Sequence, residues 1–417
     1  MSIRNALYTI LSLSLLMMLS AFSLPGKSGN AEKTAPMKTA DAETRNTAFA
    51  LDLYRTLGKS SEGDLFFSPY SVSTALSMTL VGAAGNTEKQ IADILQAPQD
   101  ITQYHNAQAA FEKNIERAAE QGNITLETAN SLWPQKGYEL SKAFLHDLHK
   151  YYGTTVTPVD YRMNTEKARK TINRWVEKRT QDKIRELLAP SILNSLTRLT
   201  LVNAVYFKGS WEKQFDTSKT VNTDFFISKE TKTVVPMMHQ ENSFRYAASD
   251  SLQILELPYS EDDLSMLVLL PAAKDGLALL ESSLTPERLD TWTNSLKHRK
   301  VSLFLPKFTM TSTLRLDSNL KALGMTDAFD PDKADFSRMT VAKDKLFIGA
   351  VVHKAFVDVN EEGTEAAAAT GVVIGITSAM PEPVTVFRAD HPFLVIIKEK
   401  SSGSILFMGR VVEPSSD

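Results

Sequence analysis

Apolar residues recur at helical spacing early in the chain and in short strand-like runs later. Phe49, Leu53 and Leu57 lie at i, i+4 and i+8, with Tyr54 beside them and Gly58 after them, which predicts an amphipathic helix over 46–57. Ser68 and Pro69 supply a cap and a first-turn proline for a second helix running through Leu76 and Leu80 to the glycines at 82 and 85. Thr87-Glu88-Lys89-Gln90 has the form of a capping box ahead of Ile91, Ile94 and Leu95. Further helix is predicted over 104–121 and again from Thr165, where Ala168, Ile172, Trp175 and Val176 form one stripe.

The pattern then changes. Segments 198–208, 252–257, 264–270, 301–305, 384–387, 393–397 and 405–412 are short, β-branched or aromatic, and bounded by turn chemistry, so they read as strands. Helices early and strands late, without regular alternation, predict an α+β domain with largely antiparallel sheets over a parallel doubly wound fold. No internal repeat and no linker is evident after residue 45, so 46–417 reads as one domain.

Residues 24–45 are polar, small and dotted with Pro and Gly, as expected of a solvated tether. Before it, Arg4 precedes a charge-free apolar stretch over 6–24, with Ala21 and Ser23 as small residues ahead of a cleavage point. Residues 1–23 therefore read as an export signal, and the product as secreted, extracellular or periplasmic. An uncleaved membrane anchor is the alternative, because the run approaches spanning length. The chain has no cysteine, which excludes a lipid anchor on Cys, disulfides and thiol catalysis, and leaves a secreted product held by packing alone. Hydrophobic residues make up 43% and charged residues 23%, as in ordinary globular proteins with a sizeable core. A formal net charge of -3 gives no reason to expect nucleic acid or an anionic membrane surface as partner.

Catalytic signatures are missing. There is no G-x-S-x-G elbow, H-E-x-x-H helix, P-loop or G-x-G-x-x-G, and no catalytic residue, metal ligand set or cofactor is expected. Of seven histidines only His146 and His149 have a ligand-like spacing, and they read as a solvated helix face. Glu361-Glu362 and Asp262-Asp263 are adjacent carboxylates, which on a strand point to opposite sides and cannot flank one bond.

One segment does not look like core. Residues 360–383 start acidic, pass through small side chains, turn apolar and stop at two prolines. Helix over 365–369 followed by an ordinary strand is one reading, since alanine is the best helix former. The segment also sorts by parity: Thr364, Ala366, Ala368, Thr370, Val372, Ile374 and Ile376 form one uncharged face, with Glu365 on the other. Such a strand can bury one face and slide between two strands already paired.

Several motifs together resemble the serpin family, over about 46–414. FRADHPFLVII at 387–397 is similar to the signature after the reactive loop, and SILFMGRV at 404–411 to the C-terminal strand. NAVYFKGSW at 203–211 resembles a central strand leading to the point of loop entry, and FSPYS at 67–71 the start of the helix beneath that sheet. Val352-His353-Lys354 and the stretch 361–370 resemble the strand and hinge before the loop. The resemblance implies about nine helices packed on three mixed sheets, an exposed reactive-centre loop, and a monomer. It further implies that a serine protease, or alternatively a cysteine protease, attacks the loop over 361–383 as a substrate and is trapped as an acyl-enzyme when the cut loop inserts into the main sheet. Inserting a strand adds ladder hydrogen bonds and buries an apolar face, a gain on the order of ten kcal/mol.

Carried over position by position, Glu361 is the root of the hinge, Gly363 and Thr364 its pivot, and Ala366, Ala367, Ala368, Ala369 and Thr370 its leading edge. Ser68, Asn203 and His353 match the polar cluster under the main sheet (the shutter), and Trp211 the tryptophan where insertion begins (the breach). Family spacing places the attacked bond at Thr377-Ser378, with Ile376-Thr377 and Ala379-Met380 as alternatives. No Lys, Arg or Asp lies between Ala366 and Phe387, so the expected target is an elastase-like or subtilisin-like protease that accepts small or aliphatic residues. Some serpins are carriers, chaperones or storage proteins instead. Small neutral residues on the inward face of the hinge favour inhibition, because a charge there would stall insertion. One departure stands out: Thr180-Gln181-Asp182-Lys183 lacks the glycine that relatives carry in this turn.

Overall fold

The computed structural model describes residues 39–121, 124–154, 156–261, 263–340, 345–364 and 384–415. Helix α1 (Thr39–Gly58) starts earlier than its apolar stripe predicts, so the last residues of the expected tether are helical. Strand β1 (Leu65–Phe67) leads into α2 (Pro69–Gly82), where the Ser68 hydroxyl accepts from the Ser71 amide as the Ser-Pro pair predicts. α2 is buried along almost its whole length, so tertiary cover rather than an amphipathic stripe holds it.

α3 (Gly85–Ile94) corrects one expectation. It begins two residues before Thr87, and the residues of the supposed capping box bond elsewhere. The Thr87 hydroxyl accepts from the Asp335 amide at 3.0 Å, and the Gln90 carbonyl from the amides of Thr326 and Asp327. Local cap chemistry is used here to fasten a distant loop.

α4 (Ile101–Gln121), α5 (Lys142–Tyr152) and α6 (Tyr161–Arg179) follow, with β2 (Thr125–Pro134) between the first two. His146 and His149 are both exposed on α5, as a solvated face requires. After α6, Gln181 (φ 50°) and Asp182 (φ 61°) take consecutive left-handed conformations without a glycine. The Thr180 hydroxyl accepts from the Ile184 amide across this turn. The departure from the family pattern therefore leaves a left-handed turn in place.

The remaining strands are β3 (Leu199–Ser210), β4 (Val221–Phe226), β5 (Lys232–Ala248), β6 (Leu252–Pro258) and β7 (Leu264–Pro271). After α7 (Leu277–Ser283) and α8 (Pro286–Ser295) come β8 (Lys297–Pro306), β9 (Phe308–Arg315) and α9 (Asp317–Ala322). The chain ends with β10 (Ile348–Val359), β11 (Gly363–Thr364), β12 (Thr385–Arg388), β13 (Phe393–Glu399) and β14 (Ile405–Val411). Among the described residues this is an α+β fold with nine α-helices, as expected.

Two hydrogen-bonded networks carry the strands. One runs β1-β14-β13-β7-β6-β5-β8-β12, with β4 added on β5. Its two halves, expected as separate sheets, are continuous because the long β5 carries β4 on its first part, pairs with β8 over 237–246 and pairs with β6 over 245–248. The second sheet runs β2-β3-β11-β10-β9. Here β3 and β10 also pair directly and in parallel, from Ile348–Leu199 to Phe356–Tyr206, whereas their other neighbours are antiparallel. α6 covers one face of this sheet through Tyr161, Ile172 and Val176, which cluster with Trp133, Val202 and Val352.

Candidate functional site

The seam between β3 and β10 is where the sequence-predicted residues meet. Asn203 and His353 are register partners across it. His353 is fully buried, and its Nε2 accepts from the Ser68 amide at 3.0 Å. The ring proton therefore sits on Nδ1, which donates to Asn203 Oδ1. Asn203 Nδ2 donates to the Ser71 carbonyl at 2.7 Å and to Asn130 Oδ1 on β2. The Ser68 hydroxyl donates to the Leu406 carbonyl of β14 at 2.6 Å. Ser68, Asn203 and His353 thus form one connected network, to which Ser71 and Asn130 also belong. Burial lowers the His353 pKa to about 3, so the imidazole is neutral and this tautomer persists at ordinary pH.

At the far end of the seam, Gly363 and Thr364 wedge between the same two strands as β11. Gly363 pairs with Ser210 and Thr364 with Gly209 on β3, while Thr364 also pairs with Val359 on β10. A side chain at 363 is impossible: a Cβ there would collide with the Gly209 carbonyl oxygen and lie 2.6 Å from Ser210 Cα. Thr364 has no exposed surface, and its hydroxyl is 2.9 Å from the Tyr259 hydroxyl.

Three anchors hold the segment just before this wedge. The Trp211 indole donates to the Asn360 carbonyl at 3.0 Å, and the ring stacks on Tyr259 at 4.7 Å between centroids. Backbone amides of Trp211 and Phe215 donate to the carbonyls of Glu362 and Glu361. The Glu361 carboxylate takes hydrogen bonds from Lys307 Nζ at 2.9 Å and the Thr220 hydroxyl at 2.7 Å. Burial alone would raise the Glu361 pKa, but these donors outweigh it and the carboxyl is held below its usual range.

Tyr259, Lys307, Thr220 and Asn130 were not found by sequence reasoning. Each meets its partner across dozens to more than a hundred residues of chain, and no local spacing marks such a pair. Ala366, Ala367, Ala368, Ala369 and Thr370, and the bond at Thr377-Ser378, lie outside the described residues. So do residues 1–23 and most of the expected tether.

A family model described as Serpin (serine protease inhibitor) matches residues 44–414. The leukocyte elastase inhibitor of Homo sapiens is 41% identical over 378 residues, which are 88% of this chain and 98% of that one. Among solved structures, Serpin48 of the insect Tenebrio molitor superposes with a TM-score of 0.81 at 32% identity, covering 91% of this chain and all of its own. Uncleaved ovalbumin superposes with a TM-score of 0.80 at 31% identity, covering 89% of this chain and all of its own. The chain belongs to the serpin family. That family is one of protease inhibitors, so the protein is not an enzyme.

Proposed function

We propose that this serpin is an inhibitor of elastase-like or subtilisin-like serine proteases, acting once per molecule. A protease cuts the segment after Thr364 near Thr377-Ser378, and the freed strand then extends β11 down the seam. The observation that carries this reading is β11 itself. It enters antiparallel to both β3 and β10, so each further residue replaces one weaker parallel pairing with two antiparallel ones. Ser68, Asn203 and His353 act in this reading as a latch whose hydrogen bonds cross the seam and must open as the strand passes. The named relative's inhibition of an elastase, and the lack of basic residues over 366–386, support the choice of target. We further read residues 1–23 as an export signal and the working form as a secreted monomer.

The test is direct. The purified protein is incubated with elastase, subtilisin, trypsin and chymotrypsin, and each mixture is examined for an SDS-resistant adduct. The released peptide is sequenced to find the cut. An adduct with elastase or subtilisin is expected. Digestion without any adduct would make the protein a non-inhibitory serpin, and adducts with trypsin alone would overturn the assigned specificity.

A further inference from the structure

The first turns of α2 carry half of the latch, and a carboxylate outside the latch holds them. Glu112, on α4, accepts from the Tyr70 hydroxyl at 2.5 Å, from the Thr74 hydroxyl, and from Gln108 Nε2 at 3.1 Å. Tyr70 and Thr74 lie one turn apart on the same side of α2. Glu112 is partly buried and pairs with no lysine or arginine among the described residues, so neutral donors alone meet its charge.

Tyr70 sits between the two latch serines. The Ser68 amide donates to His353, while Ser71 gives its carbonyl to Asn203 and its hydroxyl proton to Asn130. The buried Tyr70 ring also meets Phe111 of α4 edge-on at 5.7 Å between centroids. Thr74 has two acceptors within reach, Glu112 and the Tyr70 carbonyl at 3.0 Å, and one hydroxyl proton to give. With Glu112 ionised, that proton goes to the carboxylate, and two charge-assisted bonds join α2 to α4. With Glu112 protonated, the carboxyl donates to Thr74, the Thr74 proton turns to the Tyr70 carbonyl, and only neutral, weaker bonds remain.

We propose that Glu112 is a positioning residue for the latch: its carboxylate holds Tyr70 and Thr74 so that Ser68 and Ser71 meet His353 and Asn203, and loss of its charge loosens those contacts. That the cluster works as a latch rests on the proposed function, whereas the hold of Glu112 on it does not.

The consequence is a pair of opposed pH trends. Burial is the largest influence on Glu112 and raises its pKa against the pull of its three donors. Such a carboxyl contributes stability that is present below its unfolded value, ~4.3, and is lost as the pH rises through its folded value. Opening of the latch responds the other way, because it takes Tyr70 from the carboxylate and leaves the charge less well met. The other titratable groups near Glu112 are Tyr70 on α2, Tyr152 on α5, and Tyr104 and Glu116 on α4. Arg45 of α1 acts on Tyr104, and Glu127 of β2 is engaged by Gln181. Burial raises the pKa of all three tyrosines, so they stay protonated from pH ~5 to ~8.

The full chain is compared with Glu112→Gln, Tyr70→Phe and a control on the exposed side of α4, Glu120→Gln, across that range. The urea midpoint reads global stability. Hydrogen exchange at the amides of Ser68 and Ser71, corrected for the intrinsic effect of pH, reads the latch, because these amides are bonded to His353 Nε2 and Ser68 Oγ. In the native chain their protection should rise with pH in a single step. Glu112→Gln should show no step and exchange ~5–30-fold faster at the upper end, with a urea midpoint there no lower than native. Tyr70→Phe should shrink the step, and Glu120→Gln should behave as the native chain. Protection that stays flat with pH in the native chain, that falls and rises with the urea midpoint, or that is equal in Glu112→Gln would overturn the proposal. The native profile needs no variant, so a substitution that fails to fold leaves the test standing. No protease takes part, so a chain that forms no adduct and a latch indifferent to Glu112 are separate results.

Discussion

Thr364 is sealed between β3, β10 and Tyr259, and the chemistry of one side chain there decides whether the loop root can dock. Thr364→Arg would bury an unpaired cation at a cost of several kcal/mol. It should therefore convert an inhibitor into a substrate: with elastase, the share of molecules cleaved without complex should rise ~5–30-fold for each 1–2 kcal/mol lost. Thr364→Ser, which keeps the hydroxyl, should behave nearly as the native protein, and equal effects of the two would sink the docking argument.

A second residue-scale expectation concerns acid. Burial lowers the pKa of His353 to about 3 and that of His105 to about 4. Both lie below the ordinary histidine value of ~6.5, so the unfolded chain binds more protons between these limits. The stability they contribute is complete above about pH 6.5 and is lost as the pH falls toward 4, by ~1.4 kcal/mol per pH unit for each group. Urea midpoints measured from pH 7 to 4 should fall accordingly. His353→Gln should flatten part of that slope while lowering the plateau, because Gln cannot serve both Ser68 and Asn203 in the same geometry.

At the scale of elements, β11 is only two residues long and depends on what precedes it. Lys307, at the turn between β8 and β9, reaches the Glu361 carboxylate, and Thr220 is the other side-chain donor to it. Lys307→Met leaves a nearly buried carboxylate half satisfied. With Lys307 itself partly exposed, solvent screening reduces the loss to about 1–2 kcal/mol. Amides of residues 361–364 should then exchange ~5–30-fold faster, while those of β3 below Val205 stay protected. Faster exchange along all of β3 would mean that the ion pair supports the whole sheet and not the root.

At the scale of the whole molecule, and among the described residues, the parallel β3–β10 seam is the one place in this sheet where a strand could still be added between antiparallel-compatible partners. If the native fold leaves that pairing unmade, cutting the loop near Thr377 should raise the melting temperature sharply. The measurement compares intact protein with protein nicked by a protease that forms no adduct. A nicked form that melts no higher than the intact one would remove the stored free energy on which trapping depends.

Much of the architecture was legible in the sequence because it follows from local rules. Phe49, Leu53 and Leu57 line one side of α1, Ser68-Pro69 opens α2, and the late β-branched runs are strands within a few residues of their expected ends. Parity and small side chains also singled out the segment beginning at Thr364, since a strand's two faces alternate whatever its neighbours are. β2, β5 and β9 were missed, because their polar and charged residues obscure the alternation and only pairing with a neighbour makes them strands. Thr87 and Gln90 misled for the opposite reason: a side chain that could cap its own helix found stronger use on a loop far along the chain. Only the tertiary structure could bring Tyr259, Lys307 and Trp211 to one wedge, or set His353 against Asn203 across the seam. Those contacts depend on how distant strands register in space, and hydrogen bonds between groups so far apart in the chain leave no spacing to read.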